Sequence, residues 1–346
     1  MSGQNRTMED ALQQRSRNLE LMKLFAAWLV IVHHSFDLNL AEGEWIKVIT
    51  RGQLDFGTMA VSLFFLASGI FIAKSIEKNH TGWAFFKARL VRLWPPLMLT
   101  VILTVVMGAI VSSLPLKEYL LHSETRRYLL NGIFVLQHGL PGVFEHNIYG
   151  NAVNGALWTL PVEVACYVAC YVIYRMGLLK KGRILAVMVV YLVCTVIGMH
   201  VCSVLGMSLL VSAFRPCYFF LLGHVIYVYR DKIPVKWSWF IAALAGMGVC
   251  FAFAHHILSV IAIWVCYPYV LMYLAFMGHQ CSKNIAYGGR FSYTIYLCAF
   301  PIQQLLIDRC GGTMSVYANL GGSLVIATAI GALLYYGTSL RKGART

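Results

Sequence analysis

Long apolar runs separated by short polar breaks fill almost the whole chain. Ten stand out, at 20–39, 55–76, 93–114, 156–174, 184–203, 208–229, 238–255, 257–277, 291–308 and 316–339. Each is close to the roughly 20 residues that carry a helix through a hydrocarbon layer about 30 Å thick. The least marked boundary is between the seventh and eighth runs, where only His255-His256 intervenes. The pattern predicts an all-α integral membrane protein with about ten transmembrane helices. A polar segment, 1–18, precedes a transmembrane domain over 19–340, and a short basic segment, 341–346, follows it. The first 17 residues have no short apolar core followed by a small-residue cleavage site, so no cleavable signal peptide is expected. The longest break, about 115–155, is rich in Gly, Asn and His and includes Leu140-Pro141-Gly142. Loops of that length are usually functional or disordered.

Composition sharpens this picture. Hydrophobic residues make up 59% of the 346 and charged residues 12%, against about 45–50% and about 25% in soluble domains. These values exclude a water-soluble enzyme, a disordered chain and a secreted disulfide scaffold. Ten spans consume roughly 200 positions, which leaves no room for an extra soluble catalytic domain. Any chemistry therefore belongs inside the bundle or at its two faces. The net charge of +14 would suggest nucleic acid in another setting. Here it follows the rule that cytoplasmic loops retain Lys and Arg. With the N-terminus in the cytoplasm, 21 basic residues fall on the cytoplasmic side and 6 on the far side, with Arg215 inside a span. This split predicts an even number of helices and two cytoplasmic termini, and no nucleic-acid partner.

The ten cysteines fall mostly inside spans, with no CxxC pair, and Cys166/Cys170 has no second ligand pair at metal spacing. They are expected to be small buried hydrophobes, with neither a metal site nor structural disulfides.

Ionisable residues inside spans are costly and mark function by default. Helix 1 carries Glu20 and Lys23 near its start and His33-His34 near its end. Lys23 and His34 are eleven residues apart, three turns plus about 20°, so both project from one face about 16 Å apart. His33 points about 100° away from that face. Glu163 is the one acid well inside a span, in the outer half of helix 4, and Arg215 occupies the outer half of helix 6. A histidine, a carboxylate and an arginine at similar depth suit a polar site; a structural Glu163–Arg215 ion pair or a proton relay would use the same residues. Arg89 and Arg92, three apart before Pro95-Pro96, suit bidentate phosphate binding, although positive-inside anchoring uses the same residues. No Walker loop and no GxGxxG motif is present.

Several stretches together resemble the integral-membrane acyltransferase-3 family, bacterial enzymes that O-acylate surface glycans. Lys23 followed eleven positions later by His34, then Ser35, is similar to the family's helix-1 motif, whose basic residue is often arginine. Ser62-Leu63-Phe64-Phe65-Leu66-Ala67-Ser68-Gly69 resembles its "LFFxLSG" signature, and Arg89-Leu90-Val91-Arg92-Leu93-Trp94-Pro95 its R-x-x-R-x-x-P element. Leu157-Trp158-Thr159-Leu160-Pro161-Val162-Glu163 looks like "LWSLxVE", and Ser292-Tyr293 through Pro301 like "SYxxYLxHxP". The resemblance runs from helix 1 to helix 9. It departs at Ala299, where relatives commonly carry histidine, so no essential proton transfer is expected there.

The resemblance implies a stand-alone enzyme without a fused SGNH domain, multi-pass in the bacterial inner membrane. It implies acetyl or another acyl group taken from cytoplasmic acyl-CoA, with no tightly bound cofactor. The acceptor it implies is a hydroxyl of a surface or lipid-linked glycan, lipopolysaccharide among them. CoA phosphates would dock on Arg89, Arg92 and Lys23. His34 would be the base or the acyl carrier, with Glu163 orienting it or holding Arg215. Ser68, Trp158, Ser292 and Tyr293 would line or orient the site. The alternative is a proton-coupled secondary transporter or glycan exporter using Glu163, Arg215 and His34.

Overall fold

The structure, a computed structural model, describes residues 6–78, 82–150, 152–253 and 256–343. Residues 1–5 of the polar segment, His255 in the predicted break and residues 344–346 lie outside the described residues. Every predicted run is helical. The long helices are α1 (Arg17–Asp37), α2 (Phe56–Lys78), α3 (Gly82–Val111), α4 (Thr159–Arg175), α5 (Arg183–Val204), α6 (Ser208–Val228), α7 (Trp237–Ala252), α8 (256–276, with a π turn at Ala262–Cys266), α9 (Ser292–Arg309) and α10 (Val316–Gly343). Among the described residues there is no strand, only an isolated bridge between Thr7 and Pro234. Eight of the described helical segments are long and apolar enough to cross a membrane. The chain is thus an all-α, multi-pass membrane protein. Helix α5 shows why burial inside the protein is not what its apolar residues are for. Val189, Val190, Val193, Val196 and Ile197 are all exposed, as expected of a lipid-facing helix whose backbone groups are satisfied internally.

The chain divides into two compact units. The first comprises Met1–Ala26, Trp45–Phe86 and Val162–Gly289. Its central contact is between α2 and α6, where Gly69 faces Gly223. A Cβ on Gly223 would stand 2.5 Å from the Leu66 carbonyl oxygen and 2.8 Å from the Ile70 nitrogen. Small residues that allow such backbone approach are a main source of helix association in membranes. The start of α1 is capped from elsewhere in this unit. The Gln280 Oε1 accepts from the backbone of Arg17 (2.8 Å) and Asn18 (3.1 Å), and the Ser16 hydroxyl accepts from Leu19 (3.0 Å). These bonds satisfy donors that a helix start otherwise leaves open.

The polar N-terminal segment is ordered from residue 6 onward. Thr7 and Asp10 form a capping box around a short helix, Met8–Leu12. Hydrogen bonds from the Thr7 backbone and hydroxyl hold the exposed Asp10 carboxyl below its usual range. Met8 is fully buried and donates its backbone N–H to Ile233 at 2.9 Å. Deeper in the unit, His224 donates from Nδ1 to the Phe220 carbonyl (2.9 Å), which leaves Nε2 to accept from the Cys170 thiol (2.7 Å).

The second unit comprises Ala27–Glu44, Lys87–Pro161 and Arg290–Thr346. Helix α9 packs on α10 at Gly331, whose added Cβ would meet the Ile295 nitrogen at 2.8 Å, while Thr294 donates to the Gly331 carbonyl at 2.6 Å. The start of α3 differs from expectation. It begins at Gly82 rather than 93, with Pro95 and Pro96 inside it. The charged residues at 87, 89 and 92 lower hydropathy without opposing helix, because a membrane interface tolerates them. The loop over 115–155 is built rather than loose. Gln304 on α9 donates to the carbonyls of Tyr149 (2.7 Å) and Ala152 (2.8 Å) and accepts from Asn147 (2.9 Å). Asn154 donates to Leu297 at 2.9 Å, and Ile148 donates to Gly312 at 2.9 Å.

Candidate active site

Helix α1 runs unbroken from Arg17 to Asp37, so Lys23 and His34 stand on one helix as the spacing predicted. In the second unit the outer turns of α1 are fixed by buried amides. Gln303 on α9 donates to the Ile31 carbonyl and the Ser35 hydroxyl, both at 2.9 Å, and to Asn319 at 3.2 Å. Asn319 returns a hydrogen bond to the Gln303 carbonyl at 3.1 Å. Ser35, Gln303 and Asn319 are all fully buried. Satisfied buried networks of this kind fix one arrangement of the elements that carry them. What this one fixes is the turn bearing His34. The His34 ring meets Phe300 edge-on, with centroids 4.9 Å apart at 74°. Phe300 is itself confined, since a Cβ on Gly155 would come within 2.8 Å of its ring.

His33 has a different setting. Its Nδ1 is 2.9 Å from Glu44 and its Nε2 is 3.1 Å from Asp37. Glu44 reaches back over the end of α1 because the intervening turn passes through Leu40 (φ 48°) and Gly43 (φ 98°). The Glu44 side chain is only 3% exposed and Asp37 47%. The sequence reading passed over both carboxylates. The His33-Asp37 spacing of four, which places two side chains on one helical face, was the available signal.

In the first unit Glu163 lies between two donors. Tyr167, one turn on, gives it a short hydrogen bond, and the Ser68 hydroxyl donates at 3.4 Å. Ser68 and Glu163, predicted separately, are thus brought together, while Tyr167 was not foreseen. Among the described residues no ion pair joins Glu163 to Arg215. Arg215, half-buried on α6, instead feels Asp55, which caps α2 by accepting from Thr58 at 2.6 Å. Lys23 pairs with Glu20 at 2.8 Å, and Glu20 also meets Arg15 at 3.2 Å, so two cations share one carboxylate. Arg89 and Arg92 both lie in helical backbone of α3, Arg89 half-buried and Arg92 exposed. Trp158 ends a 3-10 turn, Gly155–Trp158, and is half-buried. Ser292 is buried at the start of α9, and Tyr293 donates to the Leu93 carbonyl at 3.1 Å.

The profile of the acyltransferase-3 family, described as an acyltransferase domain, matches residues 16–337. The chain belongs to the acyltransferase-3 family. It is similar to an O-acetyl transferase of Shigella phage Sf6, at 26% identity over 85% of this chain and 86% of the relative. It is also similar to nodulation protein 10 of Rhizobium leguminosarum bv. viciae, at 26% identity over 43% of this chain and 42% of that protein. No solved structure matches the chain.

Membership makes the protein a membrane acyltransferase and gives the motif positions a context. Several acyltransferase-3 motif residues are structural here. Gly69 permits the α2–α6 contact, and Tyr293 joins the late motif to the turn that holds Pro95. Ala299, at the departure from the family pattern, is fully buried within α9. The neighbouring Phe300 is the residue that touches His34.

Proposed function

We propose that this protein is an O-acetyltransferase of a bacterial inner membrane, moving the acyl group of cytoplasmic acyl-CoA to a hydroxyl of a surface or lipid-linked glycan on the outer side. One observation carries the reading. The family's basic-residue–histidine pair lies on a single continuous helix, and the turn bearing His34 is pinned by Gln303, Ser35 and Asn319. The name of the phage relative, an O-acetyl transferase, supports the choice of acetyl and of an oxygen acceptor.

In the direct route a ring nitrogen of His34 takes the proton of the acceptor hydroxyl. The freed oxygen attacks the thioester carbonyl carbon, the C–S bond breaks, and the departing CoA thiolate receives the proton from the imidazolium. In the two-step route the ring nitrogen itself attacks the thioester and carries the acyl group until the hydroxyl displaces it. Glu163, oriented by Ser68 and Tyr167, serves as the second titratable group. Arg89, Arg92 and Lys23 bind CoA phosphate. The Arg15–Glu20–Lys23 cluster retains one net positive charge, so it still attracts an anion.

The test is reconstitution in liposomes with acetyl-CoA labelled in its acetyl group and a lipid-linked glycan extract. Label appearing in glycan is expected. Failure of acetyl-CoA to bind at all would overturn the reading and favour a transporter. In the same assay Arg89→Gln with Arg92→Gln is expected to raise the KM for acetyl-CoA by at least about tenfold with kcat little changed. Charge-assisted hydrogen bonds contribute about 1.5–3 kcal/mol each. An unchanged KM would remove the two arginines from donor binding.

A further inference from the structure

The last turns of α1 carry two imidazoles and a carboxylate whose donor atoms converge. One atom each from His33, His34 and Asp37 lies within 4.8 Å of the other two. Asp37 is four residues from His33 and three from His34, the two spacings that place helical side chains together. His33 Nε2 and Asp37 Oδ2 are 3.1 Å apart. That is close to the separation of adjacent ligands around a tetrahedral ion with bonds of about 2.0–2.1 Å.

The other edge of His33 supplies an independent observation. Nδ1 is 2.9 Å from Glu44 Oε2, and the Glu44 side chain is 3% exposed. An ionised carboxylate only accepts, so Nδ1 carries the hydrogen, and the lone pair of the neutral ring is on Nε2, facing Asp37. Two lone pairs at 3.1 Å repel unless a positive charge stands between them, either a proton or a metal ion. A buried carboxylate on the far nitrogen is also how metal-ligating histidines are commonly oriented and made more basic.

We propose that His33 Nε2, His34 and Asp37 form a site for a divalent transition-metal ion of the zinc class, with Glu44 fixing the His33 tautomer. Imidazole and carboxylate donors suit Zn²⁺ or Co²⁺ rather than the all-oxygen shells of Mg²⁺ and Ca²⁺. The half-exposed Asp37 gives the ion a way in. An ion held here takes the His34 lone pair, so the metal inhibits acyl transfer. That consequence rests on the proposed role of His34; the site itself does not.

Co²⁺ titration of the full-length protein in nanodiscs, after chelator treatment, separates the two claims. One equivalent is expected to produce visible d–d bands without thiolate charge-transfer absorption, and Zn²⁺ should displace it. Asp37→Asn and His33→Ala should each lose the bands, and Glu44→Gln should weaken Co²⁺ binding by about 10–100-fold. A melting temperature held within a few degrees shows that Asp37→Asn, a half-exposed change, leaves the fold intact. Absence of binding, bands that survive Asp37→Asn, or thiolate absorption pointing to the cysteines would overturn the site, leaving a proton between His33 and Asp37. In the labelled-acetyl assay Zn²⁺ should inhibit wild type and spare Asp37→Asn. Stoichiometric binding with undiminished wild-type transfer would leave the site standing and overturn the role of His34.

Discussion

His34→Ala is expected to lower acetyl transfer by at least about 10²–10⁴-fold, the usual contribution of a positioned general base. The loss should be larger if the imidazole is the acyl carrier. The variant should remain folded, because the outer turns of α1 are held by groups other than this ring. Gln303 still reaches the Ile31 carbonyl and Ser35, and Asn319 still holds Gln303. What is lost structurally is one edge contact with Phe300. The measurement is label in glycan per mole of folded protein, with a melting curve for each variant. Phe300→Leu is the informative companion. It keeps the imidazole but removes the surface that seats it, so a reduced kcat with unchanged donor KM is expected. Brief exposure to labelled acetyl-CoA without acceptor distinguishes the two routes, since only the carrier route leaves label on the protein. Near-normal transfer by His34→Ala would remove this residue from the mechanism. Transfer lost only in His33→Ala would move the base to the imidazole that carries Glu44.

The positions of the helices were legible because a bilayer imposes a length and a polarity that any sequence must display. What was not legible was set by single hydrogen bonds across long chain separations. Gln304 and Asn154 secure a loop that composition alone left between function and disorder. Glu44 reaches His33 only because Leu40 and Gly43 take positive φ, and no periodicity encodes that return. The N-terminal segment looked like a polar tail, yet the buried Met8 and a capping box order it from residue 6. Of the polar residues singled out inside spans, Glu163 finds Ser68 and Tyr167 rather than Arg215. Residue type and depth predicted that these groups need partners; they did not predict which ones. The motif residues divide in the same way, some holding helices together and others carrying reactive groups, and their spacing does not separate the two.

Gly69 makes that division testable. A Cβ there would overlap the Phe220 carbonyl oxygen of α6, with the Phe220 carbonyl carbon at 2.9 Å and the Gly223 Cα at 3.1 Å. All three are backbone atoms, so no rotamer change relieves the overlap and the two helices must separate. Gly69→Ala is expected to cost about 1–3 kcal/mol, the usual range for overpacking a well-packed contact, and Gly69→Leu more. Both should appear as lowered melting temperatures in detergent or nanodiscs. Gly321→Ala, on an open face of α10 where an added Cβ meets nothing within 4 Å, should show no such loss. Ser68 is the next residue and donates to Glu163. Shifting α2 on α6 should therefore also lower kcat in the fraction of Gly69→Ala that stays folded, whereas an isolated loss of packing would lower only the amount of folded protein. A wild-type melting temperature for Gly69→Ala would show that the contact tolerates a side chain, and the motif glycine would then need an explanation other than helix packing.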